Sequence, residues 1–254
     1  MCTVAILRRP NHDWPLIIGA NRDEMATRPW QAPGRHWADR PDVVAGLDET
    51  AGGTWLGVND NGVLAAVMNR EGALGPLDGK RSRGEVVLEA LDHADAAVAV
   101  DALRDLDSSA YRPFNLVIAD NQDAFWLRAT GSGTPRIKAI PDGHSMITAM
   151  DLNDTEHARI RRYLPILRTA PDPDPDPATG DWAAWEDLMA ATEAAPDAGP
   201  RGAMAIADTG GYGTLSGSLI ALPAAGVAAH PVWRFCAGRP GTAPYVNVTF
   251  QDPA

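Results

Sequence analysis

Basic residues are scarce in this chain of 254: 22 lysines and arginines stand against 33 aspartates and glutamates, a formal net charge of −11. A surface of that sign repels phosphate backbones, which argues against nucleic-acid binding, and its simplest role is solubility. Cysteine is scarcer still, with Cys2 and Cys236 alone. Two thiols and six scattered histidines (His12, His36, His93, His144, His157, His230) show no metal-ligand spacing, so no metal site is expected. No apolar run approaches the ~20 residues of a membrane span. The short apolar run at 3–7 has no basic region before it and ends at Arg8 and Arg9, unlike a signal peptide. A reducing cytoplasmic setting is therefore expected, and a disulfide is not. No glycine-rich phosphate loop follows any strand, which argues against a nucleotide-binding fold, and no repeat of fixed period is present.

What is there reads as one globular domain over 1–254. Hydrophobic residues make up 45%, enough for a sizeable core. Apolar segments at 3–7 and 14–20, parted by the polar turn Asn11-His12-Asp13, predict an opening hairpin. Segments 43–46, 54–58 and 63–68 continue the strands, and Asn61-Gly62 suits a tight hairpin turn between the last two. Ser82 with Glu85 has capping-box spacing ahead of a helix through Leu91. A second helix is expected over 94–106. Strands return at 115–119, 124–128, 136–140 and 145–150. Asn153 or Asp154 then caps a helix carrying Ile160, Tyr163, Leu164 and Leu167. The alternating Pro/Asp segment 171–177 predicts an extended surface loop without the spacing of a calcium loop. Trp182, Trp185, Leu188 and Met189 form a helical core stripe. Segments 203–207, 218–222 and 227–235 are strand-like. Hairpins at both ends with helices between them indicate α+β.

Four places could carry chemistry. A small second residue permits removal of the initiator methionine, which would leave Cys2 with thiol and α-amine on adjacent atoms. With reference pKa values of ~8.5 and ~7.7–8.0, the amine can take the thiol's proton near neutrality. The alternative is a small buried residue opening an edge strand. Asn21-Arg22-Asp23-Glu24 follows the second apolar strand. If the first two strands pair, Asp23 lies close to Cys2 and could hold its ammonium; otherwise the four make a polar turn. Gly52-Gly53-Thr54-Trp55-Leu56-Gly57 implies a close backbone approach or a bulge. Asn69 ends a strand, as an oxyanion donor or a strand terminator. Cys236 reads as a buried structural thiol.

Taken in order, Met1-Cys2, the tetrapeptide at Asn21, the glycine motif and Asn69 resemble the NRDE family, relatives of transport and Golgi organization protein 2. Arg28-Pro29, Gly46-Leu47-Asp48, Ser82-Arg83-Gly84-Glu85, Phe114-Asn115-Leu116 and Tyr212-Gly213-Thr214 extend the resemblance to about Leu222. It implies a four-layer αββα sandwich like the N-terminal-nucleophile hydrolases that cleave bile-salt amides and penicillin V. It makes Cys2 nucleophile and base, Asp23 its partner and Asn69 a substrate-side amide, with Asn21, Arg22, Glu24 and Trp55 expected to contact the ligand. Three positions depart from those hydrolases. Ala20 stands where they have an arginine, 147–150 lacks their asparagine, and Leu215 replaces an arginine common among relatives. Two functions follow as expectations. One is a cysteine amidohydrolase or acyl-transfer enzyme acting on a small amide or acyl metabolite, with no cofactor required. The other is a non-catalytic carrier of haem or an acyl-lipid metabolite.

Overall fold

A computed structural model describes residues 2–176 and 179–250. In chain order the strands of the first half are β1 (Thr3–Arg8), β2 (Leu16–Met25), β3 (Trp30–Gly34), β4 (Val43–Asp48), β5 (Leu56–Asn59) and β6 (Leu64–Asn69). Helices α1 (Gly84–Leu91) and α2 (Ala96–Ala102) follow. Then come β7 (Phe114–Ala119), β8 (Ala124–Ala129), β9 (Arg136–Ala139) and β10 (Gly143–Ile147). Helices α3 (Ala158–Thr169) and α4 (Ala183–Ala190) precede β11 (Tyr212–Leu222), β12 (Val232–Cys236) and β13 (Tyr245–Asn247). The chain divides into two compact units, Met1–Thr27 with Pro141–Val248, and Arg28–Ile140 with Thr249–Ala254.

The first unit is a six-stranded sheet in the order β10-β1-β2-β11-β12-β13. Helix α3 packs on β10 and α4 on β2. Ile160, Tyr163, Leu164 and Leu167 of α3, and Trp185, Leu188 and Met189 of α4, face a core that includes Ala5, Leu7, Ile17 and Leu219. The helical stripes read from the sequence are therefore the buried faces. Burying these side chains is the main stabilising term, of order 1.5–3 kcal/mol for each large one.

The second unit is a seven-stranded antiparallel meander, β3 through β9 in sequence order. Helix α1 packs on β5 and β6, α2 on β7 and β8. Gly62, at φ +84°, makes the tight turn between β5 and β6, and its N–H bonds to the Asn59 carbonyl. Gly53 allows a close approach: a Cβ there would lie 2.7 Å from the Gly84 carbonyl carbon at the start of α1.

Several expectations need correction. β2 does not stop before the tetrapeptide but runs through Met25, because β11 pairs with it as far as Tyr212. α1 begins one residue later than a Ser82 cap requires: Arg83 is the N-cap, Ser82 Oγ accepts from Gly84 N, and Glu85 pairs with Arg81 instead of completing the box. α2 is shorter than 94–106 and is capped by Asp95, whose side chain accepts from Val98 N. α3 takes His157 as N-cap rather than Asn153 or Asp154. Residues 203–207 form no strand, and β3 and β13 were not anticipated. In the Pro/Asp segment, Asp172, Asp174 and Asp176 face solvent while Pro173 and Pro175 are buried; Pro177 lies outside the described residues. No helix is long and apolar enough to cross a membrane among the described residues.

Candidate functional site

The β1–β2 hairpin places Thr3 opposite Asn21, so the start of the chain lies beside the tetrapeptide. The Cys2 thiol contacts the Asp23 carbonyl oxygen at 3.9 Å. Alternation along β2 splits the tetrapeptide between the two sheet faces. Asn21 and Asp23 face the helices; Ala20 and Arg22 face the opposite side, as Cys2 does by its step from Thr3.

Asp23 is fully buried and tied at each oxygen. Thr214 Oγ1 donates to Oδ1 at 2.6 Å, and Arg159 Nη1 forms an ion pair with Oδ2 at 3.0 Å. Thr214 is itself oriented, because its hydroxyl accepts from Ile206 N at 2.8 Å. A β-bulge falls between Thr214 and Ser216, and Leu215 is the extra residue in it. The Tyr212 hydroxyl donates to the Asp23 carbonyl at 3.4 Å, and Arg201 stacks on the Tyr212 ring.

Cys2 keeps some solvent access as a residue, but burial pushes its thiol pKa up. The Asp23 charge adds to that rise and Arg22 opposes it. A resting thiolate is thus disfavoured, and any attack by this sulfur needs a base to take its proton.

The other expected residues are disposed differently. Asn21 donates its amide to the carbonyls of Met189 (2.8 Å) and Met204 (2.9 Å), which ties the end of α4 to the sheet. Glu24 Oε1 accepts from Met25 N at 2.7 Å. Arg22 is buried on β2. Asn69 and Trp55 belong to the second unit. There Asn69 closes β6 opposite Phe114, and Trp55 packs over Gly46 and edge-on against Trp30 at 5.8 Å. An open cleft of about 590 Å³ in that unit is lined by Val98, Asp101, Arg104, Phe125, Ile137 and Lys138, none of them among the site residues expected from the sequence.

Near the end of β10, residues 147–150 offer no side-chain amide. Asn153 supplies one close by, but its Oδ1 accepts from Met146 N and its Nδ2 donates to Ser145 Oγ. Among the described residues no group of three or more His, Cys, Asp or Glu could hold a metal.

Arg159 and Thr214 are the site residues the sequence reading missed. Thr214 lay inside a noted motif. Arg159 had one signal: it falls on the apolar stripe of its helix beside Ile160 and Tyr163, where a guanidinium is out of place without a buried acid.

The sequence profile described as Transport and Golgi organisation 2 matches residues 1–222. The Transport and Golgi organization protein 2 homologs of Bos taurus and Homo sapiens are each 36% identical over 110 residues, 41% of this chain and 38% of theirs. The match thus spans well under half of those relatives' length. Among solved structures, the Caenorhabditis elegans ortholog of N-acylethanolamine-hydrolyzing acid amidase superposes with a TM-score of 0.56 at 12% identity, covering 86% of this chain and 92% of that one. A conjugated bile acid hydrolase from Clostridium perfringens gives 0.53 at 10%, covering 99% and 94%. The penicillin V acylase of Agrobacterium tumefaciens gives 0.51 at 14%, covering 97% and 86%. These likenesses show the α+β fold of the N-terminal-nucleophile hydrolases.

Proposed function

We propose that this chain, which belongs to the Transport and Golgi organisation 2 family, is a cysteine-dependent amide hydrolase or acyl-transfer enzyme whose nucleophile is Cys2. The observation that carries the reading is the thiol of Cys2 against the main-chain carbonyl of Asp23, the residue whose carboxylate is held at both oxygens by Thr214 and Arg159. The structural neighbours include an ortholog of N-acylethanolamine-hydrolyzing acid amidase, a conjugated bile acid hydrolase and a penicillin V acylase, which supports the substrate class.

With Met1 removed, the free α-amine of Cys2 takes the thiol proton as sulfur attacks the carbonyl carbon of a small amide. The tetrahedral species collapses, the C–N bond breaks, and the leaving amine takes the proton back from the ammonium. Water then attacks the thioester, giving its proton to the same amine; the acid departs and the thiol is restored. Asp23 keeps the ammonium form oriented and compensated. The raised thiol pKa fits this division of labour, because proton removal is then coupled to attack.

Intact mass before and after brief exposure to a thiol-reactive amide probe at pH 7, beside Cys2→Ala, tests the reading. Loss of Met1 with rapid, selective labelling of Cys2 is the expected result. Retained Met1, or labelling of Cys2 no faster than an ordinary thiol, sinks it.

One observation favours a second reading, a non-catalytic carrier of haem or an acyl-lipid metabolite. Residues 147–150 provide no side-chain amide, and the nearby Asn153 bonds Met146 and Ser145 of β10, so the asparagine donor expected from the amide hydrolases is not matched at 147–150. Such a loss typically costs ~2.7–4 kcal/mol of transition-state stabilisation. Saturable binding of haem or a fatty acyl ligand that survives Cys2→Ala is what this reading expects, and its absence rejects it.

A further inference from the structure

We propose that Arg159 is the positioning residue of the Cys2 site: from α3 it pins the Asp23 carboxylate and the Thr3 hydroxyl, and so fixes where the Cys2 amine and thiol lie. This rests on the reading of Cys2 as nucleophile.

The geometry is unusually restrictive. Arg159 and Asp23 both have fully buried side chains. The same Nη1 that meets Asp23 Oδ2 at 3.0 Å also donates to Thr3 Oγ1. Thr3 follows Cys2 directly, and the main-chain carbonyl of Asp23 contacts the sulfur across the hairpin, so one guanidinium nitrogen holds the side chains of the two residues that flank the nucleophile in sequence and in space. The second branch, Nη2, donates to the Arg201 carbonyl at 2.8 Å, which keeps the guanidinium from swinging away. The short 200–202 turn thereby joins the same network through Arg201 on Tyr212.

Stability alone is a poor reason for this arrangement. A buried ion pair repays its desolvation only in part, and apolar residues of similar volume often serve as well or better. The neighbours Ile160, Tyr163, Leu164 and Leu167 show that this face of α3 otherwise packs as ordinary core. What an apolar residue cannot do is hold the Asp23 carboxylate in one orientation. Arg is suited to that task because its planar fork of donors can bond several acceptors at once. The position also separates two roles. Arg159 acts from the helix-covered face, through Asp23, while Arg22 lies on the sheet face to which Cys2 points.

The test is the pH–rate profile of Cys2 carboxamidomethylation by iodoacetamide, read by peptide mapping so that Cys236 is scored separately. Full-length wild type is compared with Arg159→Met, Arg159→Lys, Asp23→Asn and the double variant Asp23→Asn/Arg159→Met. Thermal melting verifies that each is folded. In the folded Arg159→Met protein the midpoint is expected to move by at least about half a pH unit, or the rate at pH 7 to change at least threefold, with Arg159→Lys recovering part of the change. In the Asp23→Asn background, Arg159→Met is expected to add no further shift, since coupled residues are non-additive. A wild-type profile in folded Arg159→Met overturns the proposal. Should that single variant not fold, the double variant decides: a shift beyond that of Asp23→Asn alone overturns it. The wild-type profile by itself judges whether Cys2 is activated, so failure of the nucleophile reading is separable from failure of this one.

Discussion

His157 stands two residues before Arg159 and caps α3 with its backbone only. Burial pushes its imidazole pKa from the ordinary 6.5 down to about 4, helped by Arg159 and Arg161 and opposed by Asp154. Its folded pKa is depressed, so the folded state takes up this proton later than the unfolded chain. The stability it contributes is present in full above about pH 6.5 and is lost as pH falls towards 4, levelling off below. The slope for one proton is at most ~1.4 kcal/mol per pH unit, and less here because the side chain keeps partial contact with water. His157→Gln is expected to flatten the fall of the urea midpoint between pH 6.5 and 4.5, and an unchanged slope would refute the assignment. The same scale shows what a linear reading misses. The proximity of Cys2 to Asp23 was legible because Cys2 directly precedes β1 and Asp23 lies on β2 of the same short hairpin. Arg159 was not, because its partner is 136 residues away and only packing brings the two together.

At the scale of elements, α3 contains a proline. Pro165 has no N–H to complete the ladder and crowds the preceding turn, a defect costing ~3 kcal/mol in a helix interior. It is solvent-exposed, so no core contact offsets the loss. Pro165→Ala is expected to stabilise the protein by about 1–3 kcal/mol, read as a melting shift of several degrees. No rise would mean that the helix is already bent to accommodate the ring. The contact of α1 with the glycine motif predicts the opposite sign. Gly53→Ala would drive a methyl into the Gly84 backbone, which cannot yield as a flexible side chain can. A loss of about 1–3 kcal/mol by chemical denaturation is expected, and a neutral result would show that α1 can shift freely.

Across the whole molecule, a net charge of −11 repels itself more strongly in the compact state than in the expanded one. Surface ion pairs such as Arg104 with Asp101 are worth little each, ~0–1 kcal/mol, so weakening them with salt costs less than the self-repulsion it relieves. The melting temperature at pH 7 is therefore expected to rise between ~0.02 and 0.2 M salt, where screening shortens from roughly 20 Å to under 10 Å. A fall would mean that the ion pairs outweigh the net charge.

Local pattern was enough for several features, because each depends on neighbours along the chain. Alternating and helical periodicity gave the opening hairpin, the α3 and α4 core stripes and the Asn61-Gly62 turn, and the ordered motifs gave the family. Tertiary structure decided the rest. β11 lies against β2 across nearly two hundred residues, and that pairing carries β2 through the tetrapeptide and sets Thr214 on Asp23. β10 likewise pairs with β1, and α3 packs on β10, although both follow the second unit's segment in sequence. Strand order and the partner of a buried charge depend on which surfaces exclude water together, and no window of sequence contains both surfaces.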